Sequence, residues 1–452
     1  MDLNHSTTST SSIPGRDASN TSTVAAPSKQ DRMTIRSLGY SPGALSPGPL
    51  NSILDIPNLS VGQVIFPTSP SQPETSTARK GATIIFPRGT EGLKAITPCH
   101  AGYAVFNGNG CLTGTPQIED WGFTNTPIGF TNSLSLGGVF DGIWDWILDL
   151  QESLGITGRL QSRLYGTPVV GETADWLINS ANLRASRLSA SEIRQACTAA
   201  KTAGQGGVVE EGQCGGGAGM TCHQFSGGTG TSSRLIKGDR PSGPEGSEKE
   251  YMLGCLVQTN YGGLVDLTIG GVPIGRLLMK DGASASKAFA ATPASRQPEP
   301  QPAGRADDGS ILVLLVTDAP LSPTQLNRLA RHATAGLACV GGNGIGRNFS
   351  GDIFLALSTA PHPGEQLIGK TGGVEDAIMG RFNASQTYQI EVIKNESIDT
   401  FLAAAGEATE EAILNSLVGG RDGVVCMDGE TKIDGLPVEK VKALLERYLV
   451  KV

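Results

Sequence analysis

Residues 309–338 read GSILVLLVTDAPLSPTQLNRLARHATAGLA. Ser310 opens the strand ILVLLVT, which is apolar on both faces, a pattern that places it in the middle of a sheet with both sides covered. Ser322 then caps a helix with Pro323 at its first position, and Leu326, Leu329, Ala333 and Leu337 form a buried stripe. The segment just before has the opposite character. DGASASKAFAATPASRQPEPQPAGRADD (281–308) is rich in Pro, Ala, Ser and Gln, a composition that favours an exposed, extended, flexible chain.

A flexible loop therefore delivers the Gly309–Ser310 bond to the edge of a buried strand. The Ser310 hydroxyl is placed to attack the preceding carbonyl, and Gly309 adds no side chain to obstruct it. Cleavage there leaves Ser310 with its own free amine. An α-amino group has an ordinary pKa of about 7.7–8.0, so at neutral pH a useful fraction accepts the hydroxyl proton. Nucleophile and base then share one residue. Gly-Ser is also a common pair at a loop–strand junction, and composition alone does not separate the two readings.

Outward from this junction, VGQVIF, ATIIFP (Ala82–Pro87) and AGYAVFNGNG read as strands. LGGVFDGIWDWILDLQE has Val139, Ile143, Trp146, Ile147 and Leu150 at helical spacing, and a second helical stretch is expected from Glu172 through Trp176, Leu177 and Leu183. SASEIRQACTAAK is a capped helix. The glycine-rich passage from Gly204 to Arg234 has too much polar detail for a linker, and YMLGCLVQT with GLVDLTIGGVPIG is expected to form a hairpin. GDIFLALST is a further strand. Two amphipathic helices follow, one through Glu410, Ile413, Leu414 and Leu417, the other through Val438, Val441, Leu444, Leu445 and Tyr448. Elements that come in groups rather than in strict alternation favour layered sheets with helices outside. Residues 1–50 are a polar tail with too few apolar side chains to offset the entropy of ordering, so disorder is expected there.

The 452-residue chain is 38% hydrophobic and 17% charged, with 61 glycines, and no apolar run approaches a membrane span. A net charge of -8 without a basic stripe argues against a nucleic-acid partner. The eight cysteines are dispersed, with no zinc-ligand spacing, and read as reduced thiols. The amino terminus lacks the layout of a secretory signal, which favours a cytoplasmic setting.

Five blocks carry a resemblance: PVVGETADWLIN, VVEEGQCGGGAGMTCHQFSGGTGTSSR, CLVQTNYGG, the 309–338 stretch and RNFSGDIFLALST. Together, and in this order, they resemble the self-processing family of L-aminopeptidase D-amidase/D-esterases and β-peptidyl aminopeptidases. The similarity spans roughly residues 53–450. It implies an α+β fold, a four-layer αββα sandwich of the amino-terminal-nucleophile-hydrolase kind. That domain would be cut into a larger chain (51–309, with 281–309 the pre-cleavage loop) and a smaller one (310–452). Ser310 would be the nucleophile, and Ser350 and Asp352 of the Ser-Gly-acid motif would hold its amine and hydroxyl. Asn260 would donate to the oxyanion. Glu172 would receive the substrate's free amino group, which makes the enzyme an aminopeptidase. Short peptides, amides or esters are the implied substrates, no cofactor or metal is implied, and tetramers of cut pairs are the implied assembly. Ala174 departs from members that carry a tyrosine there, leaving Trp176 or another group to shape the pocket. The alternatives are a self-cut acyltransferase that prefers amine acceptors, and an uncut, inactive binding homologue.

The remaining motifs have bland readings. GGNGIG (Gly341–Gly346) follows a helix and departs from the dinucleotide spacing, and GGTGTSS (Gly227–Ser233) lacks the phosphate-loop lysine, so both are expected to be tight turns. Cys222 and His223 are adjacent, which suits no metal site, and His332 is expected to pack or face water.

Overall fold

The computed structural model describes residues 32–66, 78–94, 97–155, 166–239, 248–282, 309–341, 346–361 and 389–450. The strands are β1 (Ser60–Phe66), β2 (Lys80–Phe86), β3 (Cys99–Gly108), β4 (Phe123–Thr124), β5 (Ile128–Asn132), β6 (Val169–Thr173) and β7 (Lys201–Thr202), followed by β8 (Thr221–Cys222), β9 (Phe225–Ser226), β10 (Thr229–Asp239), β11 (Glu248–Asn260), β12 (Ser310–Thr317) and β13 (Gly351–Ser358). The helices are α1 (Gly89–Lys94), α2 (Thr115–Trp121), α3 (Leu136–Ser153), α4 (Ala190–Ala199), α5 (Ile274–Lys280), α6 (Pro323–Gly341), α7 (Asp399–Gly419) and α8 (Val438–Tyr448).

Among the described residues, the two large sheets run β6-β5-β2-β1-β7 and β10-β11-β12-β13-β3-β4, beside two small two-stranded ones, β8-β9 and a later pair of strands, Val424–Val425 with Lys432–Ile433. The period-two alternation of each strand sorts its side chains onto two faces. Val61, Ile85, Ile128, Phe130 and Val169 of the first sheet meet Leu256, Leu312, Leu314, Val316, Ile353 and Leu355 of the second. The outer face of the first sheet packs Ala82, Ile84, Phe86 and Val170 on Val139, Ile143 and Ile147 of α3 and Ile193 of α4. On the outer face of the second, Val257, Val313, Leu315 and Phe354 pack on Leu326, Leu329 and Leu337 of α6 and Ile413 and Leu417 of α7. The layers are helix, sheet, sheet, helix: the αββα sandwich.

β12 lies fourth from one edge and third from the other, antiparallel to β11 and parallel to β13. All of its residues are buried, so each fully covered Leu, Ile or Val contributes roughly 1.5–3 kcal/mol. α6 follows as expected, with Leu326, Leu329, Ala333 and Leu337 all at 0% exposure.

Several expectations are corrected. The tail does not extend to residue 50. Ile35 and Leu38 are buried, Ile35 N–H donates to Asn415 Oδ1, Arg36 pairs with Glu411, and Tyr40 O–H donates to Glu410 at 2.6 Å. These partners lie more than 360 residues away, beyond the reach of local composition. Residues 1–31 fall outside the described residues, as does most of the loop before Ser310 (283–308).

No helix starts at Glu172, which sits instead on β6. GLVDLTIGGVPIG is not β11's hairpin partner. It forms a 3-10 turn at Leu264–Asp266, a Gly270–Gly271 turn with positive φ, and α5. β11's partner is β10, which emerges from the glycine-rich passage, so most of GGTGTSS is strand rather than turn. α7 is not amphipathic: Glu410 and Glu411 are both buried on it. Burial pushes the Glu411 carboxyl up, but the Arg36 hydrogen bond and the Arg234 charge outweigh this and hold it below its ordinary value. In GGNGIG, residues 342–345 lie outside the described residues.

Candidate active site

The site forms where three strand ends come into register. Ser310 begins β12, opposite Asn260 at the end of β11 and Gly351 at the start of β13. Apolar residues fix this register, because a one-residue slip would turn Leu312 and Leu314 away from the neighbouring sheet. Ser310 is 7% exposed, and its Oγ accepts the Gly351 N–H at 3.1 Å. A main-chain donor on the nucleophile's oxygen favours charge there. A Cβ at position 309 would come within 2.5 Å of Tyr261 Cα, so glycine is also required by the close approach of β11.

Ser350 and Asp352 are fully buried, and Ser350 Oγ donates to Asp352 Oδ1 at 2.6 Å. The other carboxylate oxygen accepts the Gly346 N–H at 2.9 Å. Burial raises the Asp352 carboxyl above its ordinary value, with the Ser350 hydroxyl and the Gly346 N–H acting against the rise. The motif is thus a closed hydrogen-bonded unit, joined to Ser310 through Gly351.

Asn260 is fixed at both ends of its amide. Its Oδ1 accepts the Thr221 N–H at 3.0 Å, and its Nδ2 donates to the Ala174 carbonyl at 2.6 Å. An amide nitrogen carries two protons, which leaves the second for an oxyanion. Position 174 therefore contributes to the site through its main chain, whatever its side chain. Trp176 is 56% exposed.

Glu172 belongs to the other sheet. Oε1 accepts the Cys111 N–H at 2.9 Å and Oε2 accepts the Ser133 hydroxyl. A Cβ at Gly110 would lie 3.2 Å from Gly351 Cα and 3.6 Å from Glu172 Oε1. The carboxylate and the strand beside the nucleophile thus face each other across a single glycine. Cys111 and Ser133 carry no motif of their own, and Thr221 lies in the block VVEEGQCGGGAGMTCHQFSGGTGTSSR without an assigned role; the fold brings them here.

Cys222 and His223 are fully buried, and burial lowers the His223 pKa to about 4, which keeps the ring neutral. His332 is exposed. No His/Cys/Asp/Glu group among the described residues is arranged to hold a metal ion. All eight cysteines are free, and no helix among the described residues is long and apolar enough to cross a membrane.

The profile of peptidase family S58 matches residues 51–431. The chain belongs to peptidase family S58. A β-peptidyl aminopeptidase of Sphingosinicella microcystinivorans is 35% identical over 425 residues, 91% of this chain and 92% of that protein. A second, from Sphingosinicella xenopeptidilytica, is 31% identical and covers 89% and 88% of the two chains. Of solved structures, a β-aminopeptidase from a Burkholderia species superposes with a TM-score of 0.71 at 33% identity, over 93% of this chain and all of the other. The L-aminopeptidase D-Ala-esterase/amidase of Ochrobactrum anthropi, described as a prototype of the serine aminopeptidases and a variant of the Ntn hydrolase fold, gives 0.70 at 32% identity, covering 92% and 98%. The S58 sandwich is thus an amino-terminal-nucleophile hydrolase fold.

Proposed function

We propose that this S58 chain cuts itself between Gly309 and Ser310 and then, through an ester on Ser310, removes amino-terminal residues from short peptides, amino acid amides or esters. One observation carries the reading: the Ser310 hydroxyl stands at the first position of the central strand, in register with Asn260 on one side and Gly351 on the other.

In the cut enzyme the Ser310 amine takes the hydroxyl proton as Oγ attacks the substrate carbonyl carbon. The C=O electron pair moves onto oxygen, facing the free N–H of Asn260. Collapse of the tetrahedral centre expels the amine or alcohol, which leaves with the proton. Water, deprotonated by the same amine, then hydrolyses the ester. Ser350 and Asp352 hold Gly351 and the nucleophile's surroundings in place, and Glu172 binds the substrate ammonium. The free thiols support a cytoplasmic setting, and exposed Phe106, Trp121 and Phe349 support an oligomer of cut pairs.

Amino-terminal sequencing of the smaller fragment tests the proposal, with Ser-Ile-Leu-Val-Leu-Leu the expected result. Ser310→Ala is expected to stay one polypeptide and to lose turnover entirely. Hydrolysis of an aminoacyl amide by that variant, or by protein that remains a single chain, overturns it.

A further inference from the structure

Each of the four residues Glu172–Asp175 is attached to a neighbouring segment. Glu172 binds Ser133 and Cys111; Thr173 Oγ1 accepts Gln258 Nε2 at 2.7 Å; the Ala174 carbonyl accepts Asn260 Nδ2 at 2.6 Å; and Asp175 Oδ2 accepts Asn132 Nδ2 at 2.8 Å and Asn179 Nδ2 at 2.7 Å. Successive residues of one strand end thus hold the amine anchor and the oxyanion donor a fixed number of backbone bonds apart. Asn132 is itself buried and closes this loop, because its Oδ1 accepts the Ser135 N–H and so fixes the turn that carries Ser133.

We infer that Ser133 is a positioning residue that latches Glu172 at a set distance from Asn260, so that the enzyme selects substrates by the number of bonds between their amino group and the scissile carbonyl. The inference rests on Glu172 being the amine anchor. A carboxylate bound on one oxygen alone can rotate about its last torsion, which is broad and soft. With the Cys111 N–H on one oxygen and the Ser133 hydroxyl on the other, rotation is blocked, and the remaining lone pairs aim one way. The ammonium is then received at a single place, and a carbonyl too near or too far misses the Asn260 donor, which a shift of about 1 Å suffices to cause. Ser133 itself touches neither the nucleophile nor the reacting carbonyl, since its partner is the carboxylate.

The test compares Ser133→Thr with Ser133→Val. Both add the same bulk, but only the first keeps the hydroxyl. Substrates are the glycyl, β-alanyl and γ-aminobutyryl p-nitroanilides, with p-nitrophenyl acetate as the amine-free control. Ser133→Val is expected to raise KM for the preferred aminoacyl substrate about ten-fold or more, the size of one hydrogen bond to a charged group. It should also narrow the kcat/KM ratios among the three chain lengths, with self-cutting and acetate hydrolysis unchanged. Ser133→Thr should keep KM and ratios near wild type. Unchanged KM and ratios in the valine variant overturn the inference, as does an equal loss toward the acetate ester. A valine variant that stays uncut or unfolded while the threonine variant behaves as wild type overturns it too, since the hydroxyl would then serve folding. Glu172→Gln separates the two levels: if it leaves KM for aminoacyl substrates unchanged, the anchor assignment fails independently of Ser133.

Discussion

The two ends of the central strand carry the same kinds of residue and use them differently. At the far end, Thr317 lies opposite Ser358, with Asp318 one residue on; at the near end, Ser310 lies opposite Gly351, with Ser350 and Asp352 to either side. Thr317 Oγ1 donates to the Met252 carbonyl at 2.8 Å, Ser358 Oγ donates to the Ala319 carbonyl at 2.6 Å, and Asp318 accepts the Met252 N–H at 2.7 Å. Each hydroxyl proton there is committed to the main chain. At the near end, among the described residues, Ser310 Oγ accepts a hydrogen bond and donates none. The hydroxyl protons at the far end are taken up by main-chain carbonyls, whereas the Ser310 hydroxyl keeps its proton available among the described residues.

The largest break in this comparison comes from Asn260→Ala, expected to lower kcat by about 10²–10³ by removing a preorganised oxyanion donor while leaving the fold intact. Steady-state kinetics on an aminoacyl nitroanilide measures it. Next come the paired variants Asp352→Asn and Asp318→Asn. The first should lower kcat about a hundred-fold by loosening the hydrogen-bonded unit that positions Gly351 beside the nucleophile, where a misplacement of about 1 Å suffices, and the second should leave kcat unchanged. Both aspartates share a carboxyl raised by burial. For a carboxyl raised in the folded state, the stabilising contribution is complete below the unfolded value near 3.9 and is lost as pH rises through the folded value. Thermal unfolding between pH 4 and 7 should therefore depend less on pH in either asparagine variant than in the wild type. The smallest effect belongs to Thr317→Val, which removes two hydrogen bonds, the donation to the Met252 carbonyl and the acceptance of the Ala319 N–H, and should cost about 2 kcal/mol of stability, measured by urea unfolding, with cutting and turnover unaltered.

Sequence resolved the near end better than its supports. Continuous apolar runs gave β12 and β13, and helical spacing gave α3 and α6, because these elements bury what they carry. Polar elements were less legible. Thr231 and Ser232 look like loop residues, yet they sit in β10 because their hydroxyls reach the Cys255 and Ala408 carbonyls, at 2.8 and 2.6 Å. Trp176, Leu177 and Leu183 imitate helical spacing after Glu172, but Asp175 is buried and tied to Asn132, 43 residues away. The motifs identified Ser310, Ser350, Asp352, Asn260 and Glu172 as candidates, and the structure brings their surroundings together. What holds Glu172 and Asn260 in place (Cys111, Ser133, Thr221 and the Ala174 carbonyl) is a set of hydrogen bonds between distant segments, which even the motif blocks that contain Thr221 and Ala174 do not encode.

The buried arginine at position 234 donates to the Glu407 carboxylate at 3.1 Å and pairs with Glu411 at 2.8 Å, while Arg36 and Tyr40 reach the same helix. Every cation in this set precedes residue 309, and every carboxylate follows it. Scission at that point would leave fragments that are each other's counter-ions, and separating them would break the fully buried Arg234–Glu411 pair, at a cost on the order of 3–5 kcal/mol. A break in the backbone there would change the chemistry of one residue while these ion pairs still tie the two parts together.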